Sequence, residues 1–211
     1  PETREQVVAW HVVYRIAEVI GTIPRIENFL ERVADILFDH LVVDRMVVLS
    51  LHRPTGELTP ELVRYRTKRK GKRPKIHTSR TIINYVIESG AGVLCANAMT
   101  DRRFTELSKQ DSIHQLALRS VLCVPIVLQE EVVGVMHLDT SMSQHAYTQE
   151  QLRLVTAVGR MIGLAMENAR LIESRMKNER LAATGETVAR LSHEIRNILQ
   201  GLRSGADVVE M

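Results

Sequence analysis

Apolar residues recur at three- and four-residue steps near the start of the chain, and this spacing predicts two amphipathic helices. The first helix spans residues 2–20 and ends before Gly21, with an apolar stripe formed by Val13, Ile16, Ala17 and Ile20. The second helix follows Pro24, and its apolar face is formed by Ile26, Phe29, Leu30, Val33, Ala34, Leu37 and Leu41. We expect this second face to cover a sheet.

The apolar period then changes to two, which predicts strands. The segment RMVVLSLH (45–52) ends at the turn signal Arg-Pro-Thr-Gly (53–56). The segment ELVRYR (61–66) then returns as the second strand of a hairpin.

The middle of the chain predicts one more helix and three more strands. The helix begins after Ser79, which serves as its N-cap, and ends at Gly90. A short strand over 92–98 follows, and two longer strands over 120–128 and 131–139 are joined by a tight turn. This order of elements predicts an α+β fold with a central antiparallel sheet flanked by helices.

From Thr148 to Met211 the pattern is helical almost without interruption. Two series of apolar residues step by sevens and are out of phase with each other: Val158, Ala165 and Ile172, and then Leu181, Val188, Ile195 and Leu202. Heptad spacing predicts a seam between helices, and the phase change predicts a junction between two modules. The chain's own sheet could bury the first series but not the second, so we expect a long C-terminal helix that forms a parallel dimeric coiled coil or bundle.

Composition narrows the function classes. The chain has 211 residues, of which 45% are hydrophobic and 25% charged, enough for one medium-sized domain and an accessory segment. Because only 4% are aromatic, a nucleic-acid partner that binds by base stacking is not expected. The longest apolar stretches are too short to cross a bilayer, so we expect no membrane partner. The two cysteines, Cys95 and Cys123, lack CxxC spacing, which favours a reducing, cytoplasmic location.

One segment decides the net charge. The chain carries a formal charge of +3, and the stretch from Lys68 to Lys75 holds six positive charges and no acid, so the remainder carries 3 − 6 = −3. Gly71 and Pro74 mark this stretch as a loop. We expect a solvated, weakly ordered insertion, and a loop that attracts phosphate groups is the alternative.

The second heptad series contains the segment LAATGETVARLSHEIRNILQGLR (181–203). It resembles the first helix of the dimerisation and phosphoacceptor domain of two-component sensor histidine kinases, whose signature is a helical His, an adjacent acid and, four residues after the His, an Asn or Thr. The matching residues are His193, Glu194 and Asn197. The resemblance implies that His193 accepts a phosphoryl group from ATP and passes it to the receiver domain of a response regulator. ATP and Mg²⁺ are then expected for the parent kinase.

The helical geometry of this segment is compatible with those roles. His193 lies about 200° around the helix from Leu191, so it points to solvent if Leu191 faces a bundle core. Glu194 is placed to take the Nδ1 proton of the imidazole, and Asn197, one turn later, shares the face of His193. The family usually has Pro where this chain has Ile198, so helix bending is not expected to be part of its signalling.

Three segments of the preceding region are informative: DRRF (101–104), RSVLCVPIVLQEEVVGVMHLD (119–139) and YTQEQLRLVTAVGRMIGLAMENARLIE (147–173). With them, the region 24–172 resembles a GAF domain, a small-molecule sensor and dimerisation module found ahead of such kinases. The resemblance implies a fold, but it leaves the ligand open.

A ligand cavity would lie between the inner face of the sheet and the segment 79–118. The candidate lining residues are Tyr85, Cys95, Asn97, Arg103, Ser120, Cys123 and His137. Each has a simpler interpretation: the cysteines as small buried hydrophobes, His137 as a hydrogen-bonded strand histidine, and Arg103 as a surface ion-pair partner. The other histidines show no metal-ligand spacing, and we expect neither a metal nor a cofactor in this chain, although an unidentified small molecule remains a possible ligand.

These patterns predict four segments: an N-terminal dimerisation helix (1–23), a GAF-like domain (24–172), a signalling-helix linker (173–181) and part of a phosphoacceptor helix (182–211). We therefore expect a piece of a longer, homodimeric histidine kinase, inactive alone because no Gly-rich ATP lid is present. A GAF regulator without kinase function is the first alternative. A small-molecule enzyme of the GAF fold, such as a sulfoxide reductase that uses cysteines, is the second.

Overall fold

The computed structural model describes residues 4–23, 25–66, 79–95, 120–140 and 146–209, with the backbone alone described over 182–209. The chain forms two compact units, Pro1–Ala169 and Arg170–Met211. The basic segment 68–75 and two candidate pocket residues, Asn97 and Arg103, lie outside the described residues.

The described part of the chain contains four helices and five strands. The helices are α1 (Arg4–Val19), α2 (Ile26–His40), α3 (Arg80–Ser89) and α4 (Gln149–Val209). The strands are β1 (Arg45–His52), β2 (Glu57–Tyr65), β3 (Val93–Cys95), β4 (Ser120–Leu128) and β5 (Glu131–Thr140). They form one antiparallel sheet in the order β2-β1-β5-β4-β3, which confirms the predicted α+β class.

The first hairpin differs from its prediction in one respect. Strand β2 begins at Glu57, directly after the turn, and not at residue 61. It tolerates Pro60 because β2 is an edge strand, where a missing N–H does not interrupt the sheet. A bulge lies beside it: Val48 pairs with Leu62 and Leu49 pairs with Pro60, so Glu61 is the extra residue.

Helix α3 begins and ends at the predicted residues. The Ser79 hydroxyl accepts a hydrogen bond from the Ile82 N–H at 3.4 Å, and Gly90 adopts a left-handed conformation with φ of 63°. Both predicted end signals are therefore confirmed.

The sheet separates two apolar cores, because alternate strand residues point to opposite faces. On one face helices α1, α2 and α4 cover strand residues that include Met46, Val48, Leu122, Val124 and Met136. On the other face α3 covers a smaller core, to which the strands contribute Val47, Leu49, Val121, Cys123 and Val135. We call this second surface the α3 face.

Helix α1 belongs to the first core through Val12 and Ile16, which are fully buried. The predicted stripe was therefore partly wrong: Ile16 is buried, but Ala17 is exposed and Val12 takes its place. The reason is that α1 is apolar on more than one side, so spacing alone does not show which side meets the sheet.

The first part of α4 lies on the chain's own sheet. Val158 and Ala165 are buried in the first core together with Leu154, so these two members of the first heptad series are covered within one chain. Gly159 permits this close packing, because a Cβ there would lie 2.6 Å from the carbonyl oxygen of Pro125. Among the described residues, no helix has the length and apolar character needed to cross a membrane.

The second unit is described as helical backbone up to Val209. Its described side chains, from 170 to 181, include four exposed large apolar residues: Leu171, Ile172, Met176 and Leu181. The side chains of Val188, Ile195 and Leu202 lie outside the described set, so the dimeric seam remains a prediction.

Candidate functional site

Three polar side chains lie buried together on the α3 face of the sheet. They are Arg45 on β1 and His137 and Asp139 on the neighbouring strand β5. The register pairs Arg45 with Asp139, and His137 stands two residues before Asp139 on the same face. Burial of polar groups is costly unless they are paired, so this cluster stands out in an otherwise apolar surface.

The contacts of the cluster converge on one carboxylate oxygen. Arg45 Nε donates a hydrogen bond to Asp139 Oδ2 at 2.7 Å, and Arg45 Nη2 lies 2.6 Å from the same oxygen. The two side chains are only 9% and 7% exposed. His137 is fully buried, and its Nδ1 lies 3.4 Å from Oδ2, the outer limit of a hydrogen bond.

The charge of Asp139 is set by opposing effects. Burial alone would raise the pKa of the carboxyl, but the contact with His137 and the Arg45 guanidinium together hold the pKa below its usual value. Asp139 is therefore an ionised, desolvated carboxylate at neutral pH.

The contact of His137 with Asp139 is long for a hydrogen bond, at 3.4 Å. Neither of its ring nitrogens has a well-formed hydrogen bond in the described part of the chain. This makes His137 the buried polar group in the cluster whose hydrogen-bonding capacity is least used.

Both cysteines lie on the α3 face beside the cluster. Cys123 is opposite His137 in the register of β4 and β5, and Cys95 is opposite Val121 on β3 and β4. Neither cysteine forms a disulfide with another described residue and both are buried, and burial raises the pKa of the Cys123 thiol to about 12. Cys123 is therefore a protonated, weakly nucleophilic thiol at neutral pH.

The remaining candidate residues do not join this group. Ser120 lies on the opposite face, where its hydroxyl accepts a hydrogen bond from the Tyr147 N–H at 3.2 Å. Tyr85 lies on α3 and is 41% exposed, outside the helix face formed by Ile82, Ile83 and Val86. The structure thus brings together His137, Cys123 and Cys95 from the predicted set.

Arg45 and Asp139 are site residues that the sequence reasoning missed. Each is a charged residue at the end of an apolar strand segment, Arg45 at the start of RMVVLSLH and Asp139 at the end of EVVGVMHLD. A search for opposite charges at such positions would have found both residues.

Asp139 and Tyr147, which precedes α4, both bond to the segment 42–44, although Tyr147 packs in the first core on the other face of the sheet. The Tyr147 hydroxyl donates a hydrogen bond to the Val42 carbonyl at 2.8 Å, and Thr140 donates to Asp44 at 3.2 Å. Burial first, and then the charges of Asp139 and Asp44, raise the pKa of Tyr147. The charge of Asp139 thus contributes to the raised pKa of Tyr147, which lies two residues before Gln149, the first residue of α4.

The three predicted phosphotransfer residues, His193, Glu194 and Asn197, lie within the helical backbone of α4. Their side chains are outside the described set. The helix places Asn197 one turn after His193, as the sequence spacing requires.

The chain matches two curated proteins over part of their length. It is 24% identical over 142 residues to the hybrid signal transduction histidine kinase G of Dictyostelium discoideum, a match that covers 62% of this chain and 4% of that protein. It is 32% identical over 116 residues to the dual 3′,5′-cyclic-AMP and -GMP phosphodiesterase 11A of Takifugu rubripes, covering 54% of this chain and 13% of that protein. The chain therefore spans a small part of either relative.

Solved structures share the fold at low sequence identity. The GAF domain of a phosphoenolpyruvate-protein phosphotransferase from Coxiella burnetii has a TM-score of 0.61 at 17% identity, covering 82% of this chain and 99% of that one. The free methionine-R-sulfoxide reductase of Neisseria meningitidis also has a TM-score of 0.61, at 13% identity, covering 82% and 96%. The GAF domain family model matches residues 25–166, about two thirds of the chain. This chain belongs to the GAF domain family.

Proposed function

We propose that the chain is the sensor and signalling region of a two-component histidine kinase, in which the GAF domain controls phosphorylation of His193. The observation that carries this proposal is the position of the segment LSHEIRNI (191–198) in the same helix, α4, that packs on the GAF sheet. The similarity of the GAF region to a hybrid histidine kinase supports it.

The α3 face supplies the input side of this proposal. A ligand that changes the contacts of His137 acts on Asp139, which carries the ion pair with Arg45. Asp139 and Asp44 in turn act on Tyr147, directly before α4. In this proposal a change at Asp139 reaches Tyr147, before α4, through the segment 42–44. The Asp44 N–H donates a hydrogen bond to the Asp139 carbonyl at 2.9 Å, and the Tyr147 hydroxyl donates to the Val42 carbonyl.

The output chemistry is phosphoryl transfer from ATP, bound by a separate catalytic domain. An imidazole nitrogen of His193 attacks the γ-phosphorus, an N–P bond forms, and the P–O bond to the leaving ADP breaks. Glu194 takes up the proton of the other ring nitrogen, and Asn197 orients the imidazole or a water beside it. A response-regulator aspartate then accepts the phosphoryl group.

The test is phosphorylation with radiolabelled ATP in the parent kinase, or with its catalytic domain supplied in trans. We expect an acid-labile, alkali-stable label that His193→Gln abolishes. Glu194→Gln is expected to slow labelling by about 10²–10⁴-fold, the usual contribution of positioned proton transfer. His52→Gln, at an exposed histidine in β1, is the matched control. Histidine labelling that survives His193→Gln contradicts the proposal.

A homodimer is part of the proposal. The stripe Leu181, Val188, Ile195 and Leu202 has heptad spacing, and Leu181 is 62% exposed within one chain. Burying a Leu or Ile side chain contributes about 1.5–3 kcal/mol, which favours pairing with a second copy. Sedimentation is expected to show a dimer at micromolar concentration, and a monomer there contradicts the seam.

A GAF regulator without kinase function is the second candidate, and the similarity to a phosphodiesterase favours it. It predicts that His193→Gln leaves signalling by the parent protein intact. The cysteine-dependent reductase alternative is disfavoured, because such chemistry needs accessible thiolates and both cysteines are buried.

A further inference from the structure

Two histidines from different helices lie in contact at the outer side of the first core. His11 on α1 is exposed, and His40, the last residue of α2, is half-buried. Their ring centroids are 5.5 Å apart, with 45° between the ring planes. A neighbour on each helix, Val12 on α1 and Leu37 on α2, has no exposed surface and belongs to the first core. The packing of α1 on α2 therefore brings the rings together, and we call the two residues the histidine pair.

The ring of His40 is oriented by a hydrogen bond to its own helix. Its Nδ1 lies 2.8 Å from the Ile36 carbonyl oxygen. A carbonyl oxygen can only accept, so Nδ1 carries the proton and donates it. In the neutral imidazole the other nitrogen, Nε2, then has a lone pair available for binding. Histidines that ligate metals usually have this arrangement, in which the second ring nitrogen donates to a carbonyl or carboxylate and fixes the ring.

The ring of His11 is free to adjust. Among the described residues it forms no hydrogen bond and no ion pair, and its recorded contact is with the ring of His40. Because the side chain is exposed, a rotation can turn either ring nitrogen toward Nε2 of His40. The pair thus combines one fixed nitrogen donor with one adjustable donor.

The distance between the rings fits a shared metal ion. Imidazole nitrogens lie about 2.0–2.1 Å from a bound zinc ion, and the centre of each ring lies about 1.2 Å further out. For an angle of about 90–120° at the metal, the two ring centres are then about 4.5–5.7 Å apart. The observed 5.5 Å lies within this range, so α1 and α2 need not separate to hold an ion.

We propose that the histidine pair binds a divalent transition-metal ion of the class that imidazole prefers, such as Zn²⁺, Ni²⁺ or Cu²⁺. In the part of the chain that the structure describes, no group of three or more His, Cys, Asp or Glu side chains is placed to hold a metal. The pair therefore supplies two ligands and water completes the coordination, which gives an exchangeable site of modest affinity. Mg²⁺ and Ca²⁺ prefer oxygen ligands and are not expected to bind there.

A bound ion would link α1 to α2 and hold the N-terminal helix against the first core. The sequence did not predict this site because the two histidines lie on different helices and have no local metal-ligand spacing. The inference does not rest on the proposed histidine-kinase function, so either can fail without the other.

Zinc titration of the full chain tests the site, followed by calorimetry and by NMR of the ¹⁵N-labelled histidine rings. His11→Gln and His40→Gln are each expected to weaken zinc binding by at least about tenfold, since the loss of even an outer-shell partner usually costs 10–100-fold. His52→Gln is the matched control, at an exposed histidine that contacts Thr55, and should leave this binding unchanged. We also expect zinc to shift the Nε2 resonance of His40 while Nδ1 stays protonated, and Mg²⁺ to shift neither.

Far-UV circular dichroism melting checks that the variants fold. If His40→Gln is unfolded through loss of its bond to Ile36, the exposed His11→Gln decides the outcome. Zinc binding that persists unchanged in folded His11→Gln overturns the inference. So does a His40 ring that does not respond to millimolar zinc, because any zinc bound is then held by other histidines of the chain.

Discussion

Replacing Asp139 with Asn tests the buried cluster on the α3 face. The substitution keeps the shape of the side chain but removes its negative charge. In the native chain Arg45 Nη2 and Nε lie 2.6 and 2.7 Å from the carboxylate oxygen Oδ2. The guanidinium then remains desolvated without a counter-charge, since Arg45 is only 9% exposed.

The expected loss follows from this burial. Removing one partner of a buried ion pair costs about 3–5 kcal/mol of unfolding free energy, because the remaining charge is left uncompensated. Glu31→Gln is the matched control. Its carboxylate pairs with Arg64 at a site where both side chains are 39–48% exposed, and such a pair contributes only about 0–1 kcal/mol.

Urea denaturation followed by circular dichroism measures both variants. The pH dependence gives a second readout, because the pKa of Asp139 is lower in the folded chain than in the unfolded one. The stability from the ionised carboxylate is therefore complete above its ordinary pKa of about 4 and is lost as the pH falls through the lower folded value. The difference in unfolding free energy between the native chain and Asp139→Asn should therefore be constant around neutral pH and become smaller in acid.

Two results would refute this reasoning. A loss below about 1 kcal/mol for Asp139→Asn would mean that the pair is effectively solvated. If the difference in unfolding free energy between the native chain and Asp139→Asn instead widens in acid, the pKa of Asp139 is raised by folding and not lowered. The double variant Arg45→Met with Asp139→Leu should recover part of the loss, since it removes both charges together.

Three further predictions concern other parts of the GAF domain. Gly159→Ala is expected to lower the unfolding free energy by about 1–3 kcal/mol, because the new Cβ would lie 2.6 Å from the carbonyl oxygen of Pro125. This cost exceeds the gain from the better helix propensity of Ala. An unchanged midpoint of urea denaturation would contradict the prediction. Cys123, whose thiol pKa is raised to about 12, should react with an aromatic disulfide reagent only after unfolding, and rapid labelling of the native chain would show an open thiol. Replacing the basic segment 67–75 with a short Gly-Ser turn should leave the melting temperature nearly unchanged, whereas a large drop would show that the segment is packed.

The sequence predicted strands β1 and β4 and the ends of α3 because these depend on local signals. The turn at 53–56, the N-cap Ser79 and the left-handed Gly90 each act within a few residues. The start of β2 was missed because Pro60 is unfavourable in most strands and is accepted here only at the sheet edge.

The composition of the site depends on contacts distant in sequence. Arg45 and Asp139 are 94 residues apart, and their pairing follows from the register of β1 with β5, which no local pattern specifies. Ser120 was assigned to the pocket because β4 is apolar on both faces, so alternation does not show which residues face α3.

The strand order has a consequence for synthesis of the chain. Strand β1 ends at His52, but its partner β5 ends at Thr140, so one edge of β1 stays unpaired until about 90 more residues have been made. During this interval the first core also lacks the residues of α4, which begins at Gln149. The GAF domain therefore completes its fold late on the ribosome, after β5 and the first turns of α4 have emerged. Chaperones that bind exposed apolar segments are expected to meet the nascent chain mainly before that point.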